Sequence, residues 1–464
     1  MTELGSPTKP LTVAVVGSGP SAFYAVEALL QSGHAVEINM IERLPTPYGL
    51  VRNGVAPDHP KLKQPILVYE KIAQSPSVNY FGNVCVGQDI SVSQLASLHH
   101  ATILACGAQS DRRLGVTGED LPGSHSATEF VGWYNGHPDF RDRSFDLSQE
   151  VVAVVGQGNV AIDVVRILAK TVDELKHTEI AGHALELLAD SKVREIHIIG
   201  RRGPAQAKFT PHELQELGTL ADCQPRVDSD DLFLNSESKI EVADKMSRSL
   251  SKNLEVLSRF AASIVNTKRR RCYFHFLRSP KAILGKDRVE GIRLSKNRLQ
   301  GQAFNQIVEE TNDLVDLKCG LVFRSVGYRG VAIDGVPFDD ERGVFPNSEG
   351  RLITKAGEGV RGLYATGWIK RGPSGIIGTN RSDSVDTVST LLADLPSLDD
   401  REKRGLAGLV EHLASRNKHY ISYRGWDKIN KHEIRVGSLK NKPREKVTRV
   451  TEMLEISRES IVDE

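Results

Sequence analysis

Two glycine-rich turns of the same form constrain the fold of this chain more than any other feature. The first occupies residues 17–22 (GSGPSA) after the apolar run 11–16, and the second occupies residues 156–161 (GQGNVA) after the apolar run 151–155. A helical pattern and a second β-type run follow each turn, so that strand, turn, helix and strand succeed one another twice. The duplicated pattern predicts an α/β chain with two Rossmann-like dinucleotide-binding domains.

The first turn contains the residue types that a dinucleotide requires. Gly17 permits the tight bend, Gly19 lets a pyrophosphate approach the backbone, and Ala22 lets the helix pack closely on the strand. The helix then presents unpaired N–H groups to the phosphates. Glu42 ends the next strand, where a carboxylate accepts hydrogen bonds from ribose hydroxyls. The alternative is a glycine-rich turn that binds nothing.

The second turn repeats this pattern through Gly156 and Gly158, but the strand that follows it ends differently. Arg201 and Arg202 stand where a site for NAD would carry a carboxylate. A carboxylate would repel a 2′-phosphate, whereas a guanidinium pairs with it through two hydrogen bonds. A solvated surface pair is the alternative for these arginines. Their position at a strand end favours NADPH, and their distance from the turn predicts an inserted helical segment over residues 170–192.

Composition excludes several other classes of protein. The formal net charge of +1 offers no overall field for nucleic acid, and no window approaches about 18 uninterrupted apolar residues, which argues against a membrane span. The five cysteines are dispersed and include no C-x-x-C pair. A disulfide framework, a dithiol redox centre and an iron–sulfur cluster within the chain are therefore not expected. We expect a reduced, cytoplasmic, monomeric protein without a metal.

Six segments, taken in order, make a more specific pattern. They are GSGPSAFYAVEALL, LPTPYGLVRNGVAPDHPKLK, GQGNVAIDVVRIL, GRRGPAQAKFTPHELQELG, RSVGYRG and GWIKRGPSGIIGTN. Together they resemble the adrenodoxin-reductase-type ferredoxin–NADP reductases, most of all the single-chain actinobacterial members, from about residue 11 to past 390. The resemblance implies a glutathione-reductase-like architecture. An FAD-binding domain of residues 1–110 and 333–464 would carry an inserted NADPH-binding domain of residues 111–332.

The resemblance also implies which residues contact the two cofactors. Besides the glycines of the first turn, the FAD contacts would be Ser18, Glu42, Leu50, Val86, Trp368, Gly375, Ile376 and Ile377. Besides the glycines of the second turn, the NADPH contacts would be Arg112, Gln157, Asn159, Val160, Arg201, Arg202 and Glu213, with Gly375 near the nicotinamide. A helix that starts at Ser382 would direct its N-terminus at the flavin. The alternative for Trp368 is a place in the hydrophobic core.

Transfer of a hydride from NADPH to a flavin requires aligned rings and the exclusion of water, and the cofactors carry the chemistry. His59 and Glu216 are the best polar candidates near the rings. They would relay the proton that accompanies electron storage, or orient the nicotinamide. A loop histidine satisfied by a backbone carbonyl is the alternative for His59.

A flavin that receives two electrons can release them singly, which suits a one-electron acceptor such as an acidic ferredoxin. The basic run Lys268, Arg269, Arg270 and Arg271 is a candidate docking patch, with a solvated turn as the alternative. An FAD/NADPH monooxygenase or a diaphorase-like reductase of a small molecule would share both glycine turns. A monooxygenase would couple NADPH oxidation tightly to an organic substrate. A nucleotide-binding redox sensor would bind both cofactors without reducing a dye.

Replacement of His59 by alanine tests its part in proton handling. We expect His59→Ala to slow turnover while FAD stays bound, because the imidazole would act on the proton and not on the cofactor's phosphates. Rapid-reaction kinetics of flavin reduction and reoxidation measure the effect. Unchanged rates in both half-reactions would remove His59 from the mechanism.

Overall fold

The computed structural model describes residues 3–264 and 267–458. The chain forms two compact units. Unit 1 consists of Met1–Ser110 with Gly327–Glu464, and unit 2 consists of Asp111–Val326, which is inserted as one segment. Which cofactor each unit binds stays a prediction at this stage.

The described residues form the following strands and helices, in chain order. The strands are β1 (Leu11–Val16), β2 (Val36–Glu42), β3 (Val78–Gly82), β4 (Ala101–Leu104), β5 (Ser110–Asp111), β6 (Ser124–Ser126), β7 (Val151–Val155), β8 (Glu195–Ile199), β9 (Cys223–Val227), β10 (Arg270–His275), β11 (Arg278–Leu284), β12 (Gly291–Gln300), β13 (Ile307–Lys318), β14 (Leu321–Arg324), β15 (Tyr328–Arg329), β16 (Asn347–Ser348), β17 (Arg351–Ile353) and β18 (Gly359–Ala365). The helices are α1 (Pro20–Leu30), α2 (Gly49–Asn53), α3 (Ile66–Ala73), α4 (Val92–Leu98), α5 (Ala127–Tyr134), α6 (Asn159–Ala169), α7 (Val172–Leu175), α8 (Gly182–Ala189), α9 (Pro211–Thr219), α10 (Ser236–Ala243), α11 (Arg248–Ala262), α12 (Trp368–Arg371), α13 (Thr379–Ala393), α14 (Gly405–Ser415), α15 (Tyr423–Leu439) and α16 (Val450–Arg458). None of these helices has both the length and the apolar character needed to cross a membrane.

Unit 1 is built on a seven-stranded sheet in the order β16-β17-β18-β4-β1-β2-β3. The five strands from β18 to β3 are parallel, and β16 and β17 add an antiparallel edge. Every residue of β1 is buried, because helices and loops cover both faces of the sheet. Separate apolar clusters lie on the two faces. The predicted unit of strand, turn, helix and strand is confirmed as β1, α1 and β2.

Unit 2 is built on a six-stranded parallel sheet in the order β6-β14-β7-β8-β10-β9. Helices pack on one face over the largest apolar cluster of the unit. A smaller cluster includes residues of this sheet and of the antiparallel sheet β11-β12-β13. The second predicted unit is confirmed as β7, α6 and β8, and helices α7 and α8 form the predicted insertion between α6 and β8. The fold is therefore α/β with two Rossmann-like units, as the duplicated turns predict.

The predicted docking patch at residues 268–271 stays a prediction, and three of its side chains also bind within unit 2. Lys268 Nζ donates to the carbonyls of Leu220 and Cys223, at 2.5 and 3.3 Å. Arg269 Nε donates to Asp222 at 2.7 Å. Arg270 is only 8% exposed, since it begins β10 between β8 and β9. Arg271 lies on the same internal strand. Strand β10 therefore begins within the basic run, and Lys268 and Arg269 form the bend before it.

Candidate cofactor sites

The two glycines of the first turn, Gly17 and Gly19, are needed for different reasons. Gly17 has φ +107°, and a Cβ there would lie 2.5 Å from the carbonyl oxygen of Ala105. Only glycine tolerates that conformation and that contact. Gly19 has an ordinary extended conformation, with φ −81°, and a Cβ there would meet no atom within 4 Å. The first glycine is thus required by the fold, whereas the second leaves open space over the N-terminus of α1.

Glu42 is fixed beside this turn at the end of β2. The backbone N–H and the hydroxyl of Ser18 both donate to Glu42 Oε2, at 3.0 and 2.6 Å. The backbone N–H of Leu44 donates to Oε1 at 3.0 Å. A carboxylate has about four acceptor positions, so Oε1 keeps room for a hydroxyl group. The carboxylate is held in place before any ligand arrives, as a ribose-binding acid requires.

The segment around residues 367–380 joins the first turn in unit 1. Gly367 has φ +75°, and a Cβ there would overlap the hydroxyl of Ser21, which lies 2.0 Å from that position. Ser21 Oγ in turn donates to Asn380 Oδ1 at 3.0 Å, and Ser384 Oγ donates to the carbonyl of Ser21 at 2.9 Å. The N-terminal turns of α1 and α13 therefore lie side by side. Helix α13 begins at Thr379, three residues before the predicted start at Ser382. The predicted start was therefore wrong, and the helix extends further towards the glycine segment.

The remaining residues expected at FAD also lie in unit 1. Leu50 is the second residue of α2 and is 36% exposed, and Ile376 is 71% exposed. Ile377 packs on the edge of the apolar core, and Val86 packs on the second cluster of the unit. Trp368 Nε1 donates to the carbonyl of Ser374 at 3.2 Å. The exposed apolar side chains, the acceptor at Glu42 and the open space over Gly19 fit a flavin dinucleotide.

The second glycine turn, in unit 2, repeats the geometry of the first. Gly156 has φ +147°, and a Cβ there would lie 2.2 Å from the carbonyl oxygen of Ser325. Gly158 is again extended, and a Cβ there would meet nothing within 4 Å. The chain beyond β8 lies on this turn, because Lys208 N–H donates to the carbonyl of Gln157 at 2.8 Å and Thr210 N–H donates to Asn159 Oδ1 at 2.8 Å. Val160 follows in the first turn of α6.

The two arginines after β8 have fixed backbones. Asn297 Nδ2 donates to the carbonyl of Arg201 at 2.8 Å, and Leu277 N–H donates to the carbonyl of Arg202 at 3.0 Å. The side chain of Arg201 is exposed. Arg202 is half-buried, and its Nε has no hydrogen-bond partner among the described residues. A buried donor without a partner is costly unless a ligand satisfies it. A phosphate group on the ligand would provide the missing acceptor.

A buried ionic network under α6 was not predicted. Arg166 is fully buried, and its guanidinium lies 2.7 Å from Asp163, 2.9 Å from Glu213 and 3.6 Å from Glu216. Glu213 thus forms an ion pair with Arg166. Its expected contact with NADPH stays a prediction. The available signal was the pair of charges three residues apart on an otherwise apolar helix. Such a pair indicates burial only when the partner helix, here α9, is known.

The structure assigns His59 to unit 1 and Arg112 to unit 2. His59 precedes a short 3₁₀ helix in unit 1, and its backbone N–H donates to the carbonyl of Ala56 at 3.1 Å. Arg112 lies at the beginning of unit 2. Their roles, like that of Glu216, stay predictions.

No model of a protein family matches this chain, but relatives and solved structures match it over nearly its whole length. The chain is 44% identical over 453 residues to NADPH-ferredoxin reductase FprA of Mycobacterium leprae, which covers 96% of this chain and 98% of the relative. It is 40% identical over 462 residues to the mitochondrial NADPH:adrenodoxin oxidoreductase of Arabidopsis thaliana, covering 96% and 95%. Among solved structures, FprA of Mycobacterium tuberculosis in complex with NADPH matches with a TM-score of 0.91 and 41% identity, covering 97% of this chain and 100% of that one.

The two glycines of the first turn make a matched pair for mutation. We expect Gly19→Ala to leave the stability of the ligand-free protein unchanged but to weaken FAD binding roughly tenfold or more, because the new methyl group occupies the space over the helix N-terminus. Gly17→Ala should instead destabilise unit 1, since its methyl group meets a backbone carbonyl.

Flavin titration and thermal unfolding of the two ligand-free variants separate these effects. FAD affinity in Gly19→Ala equal to that of the wild type would show that the pyrophosphate does not lie over Gly19.

Proposed function

The chain belongs to the family of NADPH-ferredoxin reductases and NADPH:adrenodoxin oxidoreductases, and from that premise we propose the following division of labour. Unit 1 binds FAD, unit 2 binds NADPH, and the protein passes electrons from NADPH to a ferredoxin-type iron–sulfur protein. FAD, when bound, lets a donor of electron pairs serve an acceptor of single electrons. The chain's own residues bind and orient the two dinucleotides.

Support for NADPH comes from the end of β8. Arg201 offers an exposed guanidinium, and Arg202 has a buried Nε without a partner among the described residues. Both lie beside the turn that contains Gly158, so a ligand with its pyrophosphate at α6 has its adenosine end near strand β8. A 2′-phosphate there would accept hydrogen bonds from the guanidiniums. The orphaned Nε of Arg202 is the single observation that carries this assignment.

Support for FAD comes from unit 1. Glu42 is the ribose acceptor, and the amide groups at the start of α1 receive the pyrophosphate over Gly19. The start of α13 lies beside α1, where a second helix N-terminus favours negative charge on the flavin. Trp368 and Ile376 are the side chains that would cover the ring and exclude water. His59 and Glu216 are proposed to hold or relay a proton near the reacting rings.

The proposed acceptor is a small acidic iron–sulfur protein. The names of two relatives support this class of acceptor, since one is an NADPH-ferredoxin reductase and the other an NADPH:adrenodoxin oxidoreductase. Lys268, Arg269, Arg270 and Arg271 stay a candidate docking patch in this proposal, and Arg269, whose side chain is 69% exposed, is the residue among them best placed to attract an acidic partner. We further propose a monomeric, cytoplasmic protein, although the Arabidopsis thaliana relative is named as mitochondrial.

Substitution of Arg201 and Arg202 tests whether the protein prefers NADPH to NADH because of these side chains. The double variant Arg201→Gln with Arg202→Gln should raise KM for NADPH roughly 100-fold, because charge-assisted hydrogen bonds contribute about 1.5–3 kcal/mol each and 1.4 kcal/mol is a factor of ten. KM for NADH should change little, since NADH lacks the 2′-phosphate.

Steady-state dye reduction with each nucleotide measures both constants. Arg293→Gln, which removes an exposed ion pair with Asp316 on the antiparallel sheet of the same unit, is the control. An equal loss with NADPH and NADH would contradict recognition of the 2′-phosphate.

A further inference from the structure

Helix α2 forms one wall of the first glycine turn. The backbone N–H of Tyr48 donates to the carbonyl of Ser18 at 2.9 Å. A Cβ at Gly49 would lie 3.0 Å from Cα of Gly19. Tyr48 itself has φ +82° although it is not glycine, and it is buried. A strained residue of this kind persists only where its surroundings hold it.

The residues that hold Tyr48 come from the other end of the chain. Its hydroxyl lies 3.0 Å from the hydroxyl of Tyr423 and accepts from Trp426 Nε1 at 3.3 Å. The ring of Trp426 also packs edge-on against the ring of Tyr48, with centroids 5.8 Å apart. The N-terminal part of α15 therefore fixes the residue that enters α2.

A buried ionic cluster fixes the other end of α2. Arg52 donates to both oxygens of Glu433, at 2.9 and 2.5 Å, and its guanidinium lies 4.9 Å from the centroid of the Trp426 ring. Arg444 Nη1 lies 3.1 Å from Glu433 Oε2, and the backbone N–H of Val447 donates to Oε1 at 3.0 Å. The side chain of Glu433 has no exposure to solvent.

The charge of Glu433 depends on these partners. Burial alone would raise the pKa of its carboxyl, but the guanidiniums of Arg52 and Arg444 and the amide of Val447 hold the pKa below its usual value. Lys446 Nζ donates to the carbonyl of Arg52 at 2.8 Å, so the segment after α15 also binds the backbone of α2. Removal of the carboxylate would leave buried cations without compensation.

We propose that Glu433 is a positioning residue for FAD, acting through Arg52 on helix α2, which it holds against the first glycine turn. This role rests on the proposed function, since it assumes that FAD occupies unit 1. The C-terminal segment that contains Tyr423, Trp426, Glu433, Arg444 and Lys446, here called the clamp, holds Tyr48 in its left-handed conformation and α2 in its place after it. Leu50, which is expected to contact FAD, lies in the same helix.

Substitution of Glu433 tests the proposal. Glu433→Gln should raise the dissociation constant for FAD at least tenfold and speed FAD release, because α2 is no longer held at the turn. Tyr423→Phe, which removes one hydroxyl from a half-buried ring, should act in the same direction but less strongly. It serves where Glu433→Gln does not fold.

Asp394→Asn is the matched control. It breaks the bidentate ion pair between Asp394 and Arg351, with distances of 2.7 and 2.6 Å, which lies in the same unit but outside the clamp. Flavin fluorescence on dilution gives the rate of FAD release, and thermal unfolding of the ligand-free variants gives the loss of stability. We expect FAD release to accelerate in the clamp variants and to stay within twofold of the wild type in the control, at comparable losses of stability.

Two outcomes would overturn the proposal in distinguishable ways. If FAD release follows the loss of stability equally in all variants, or is unchanged in the clamp variants, Glu433 has only a structural role while the proposed function stands. If the wild-type protein binds no FAD, the proposed function fails first, and the role of Glu433 fails with it.

Discussion

The main constraint on this fold is a strand–helix turn that leaves no side chain over the helix N-terminus, where a ligand phosphate would bind. Gly19 and Gly158 occupy equivalent places in the two units, and a Cβ at either would meet only open space. The preceding glycines, Gly17 and Gly156, serve the fold instead, because a Cβ there would collide with a backbone carbonyl. In each turn, therefore, the first glycine is required by the backbone geometry, and the second leaves the space in which a dinucleotide phosphate would bind.

In the proposed function, the residues at the end of the strand after each turn select the dinucleotide. In unit 1 this strand ends at Glu42, whose carboxylate is already oriented by the turn. In unit 2 it ends before Arg201 and Arg202, whose backbones are fixed by the neighbouring antiparallel sheet. Opposite charges at equivalent positions would therefore give two turns of similar geometry different preferences. In the proposed assignment, unit 1 binds FAD and unit 2 binds NADPH.

Local pattern predicted the two sheets, both glycine turns and the inserted helices α7 and α8, because period and turn chemistry are written in consecutive residues. It failed where a side chain's environment comes from distant segments. Arg270 and Arg271 read as a basic turn until their strand is placed inside a sheet. The pairings of Arg166 with Glu213 and of Arg52 with Glu433 join residues about 50 and 380 positions apart, and no spacing rule reaches that far. The pairing of Arg52 with Glu433 is also what gives the charged C-terminal segment a structural role, which its sequence alone did not indicate.

NADPH is proposed to deliver electrons through a flavin in unit 1 to an iron–sulfur acceptor. The critical experiment is anaerobic rapid mixing of the purified FAD-bound protein with NADPH, followed by mixing with an oxidised ferredoxin. We expect rapid loss of the oxidised-flavin absorbance with NADPH, a much slower loss with NADH, and return of the absorbance as the ferredoxin becomes reduced. A flavin that NADPH does not reduce, or a reduced flavin that only oxygen or a small organic substrate reoxidises, would contradict it.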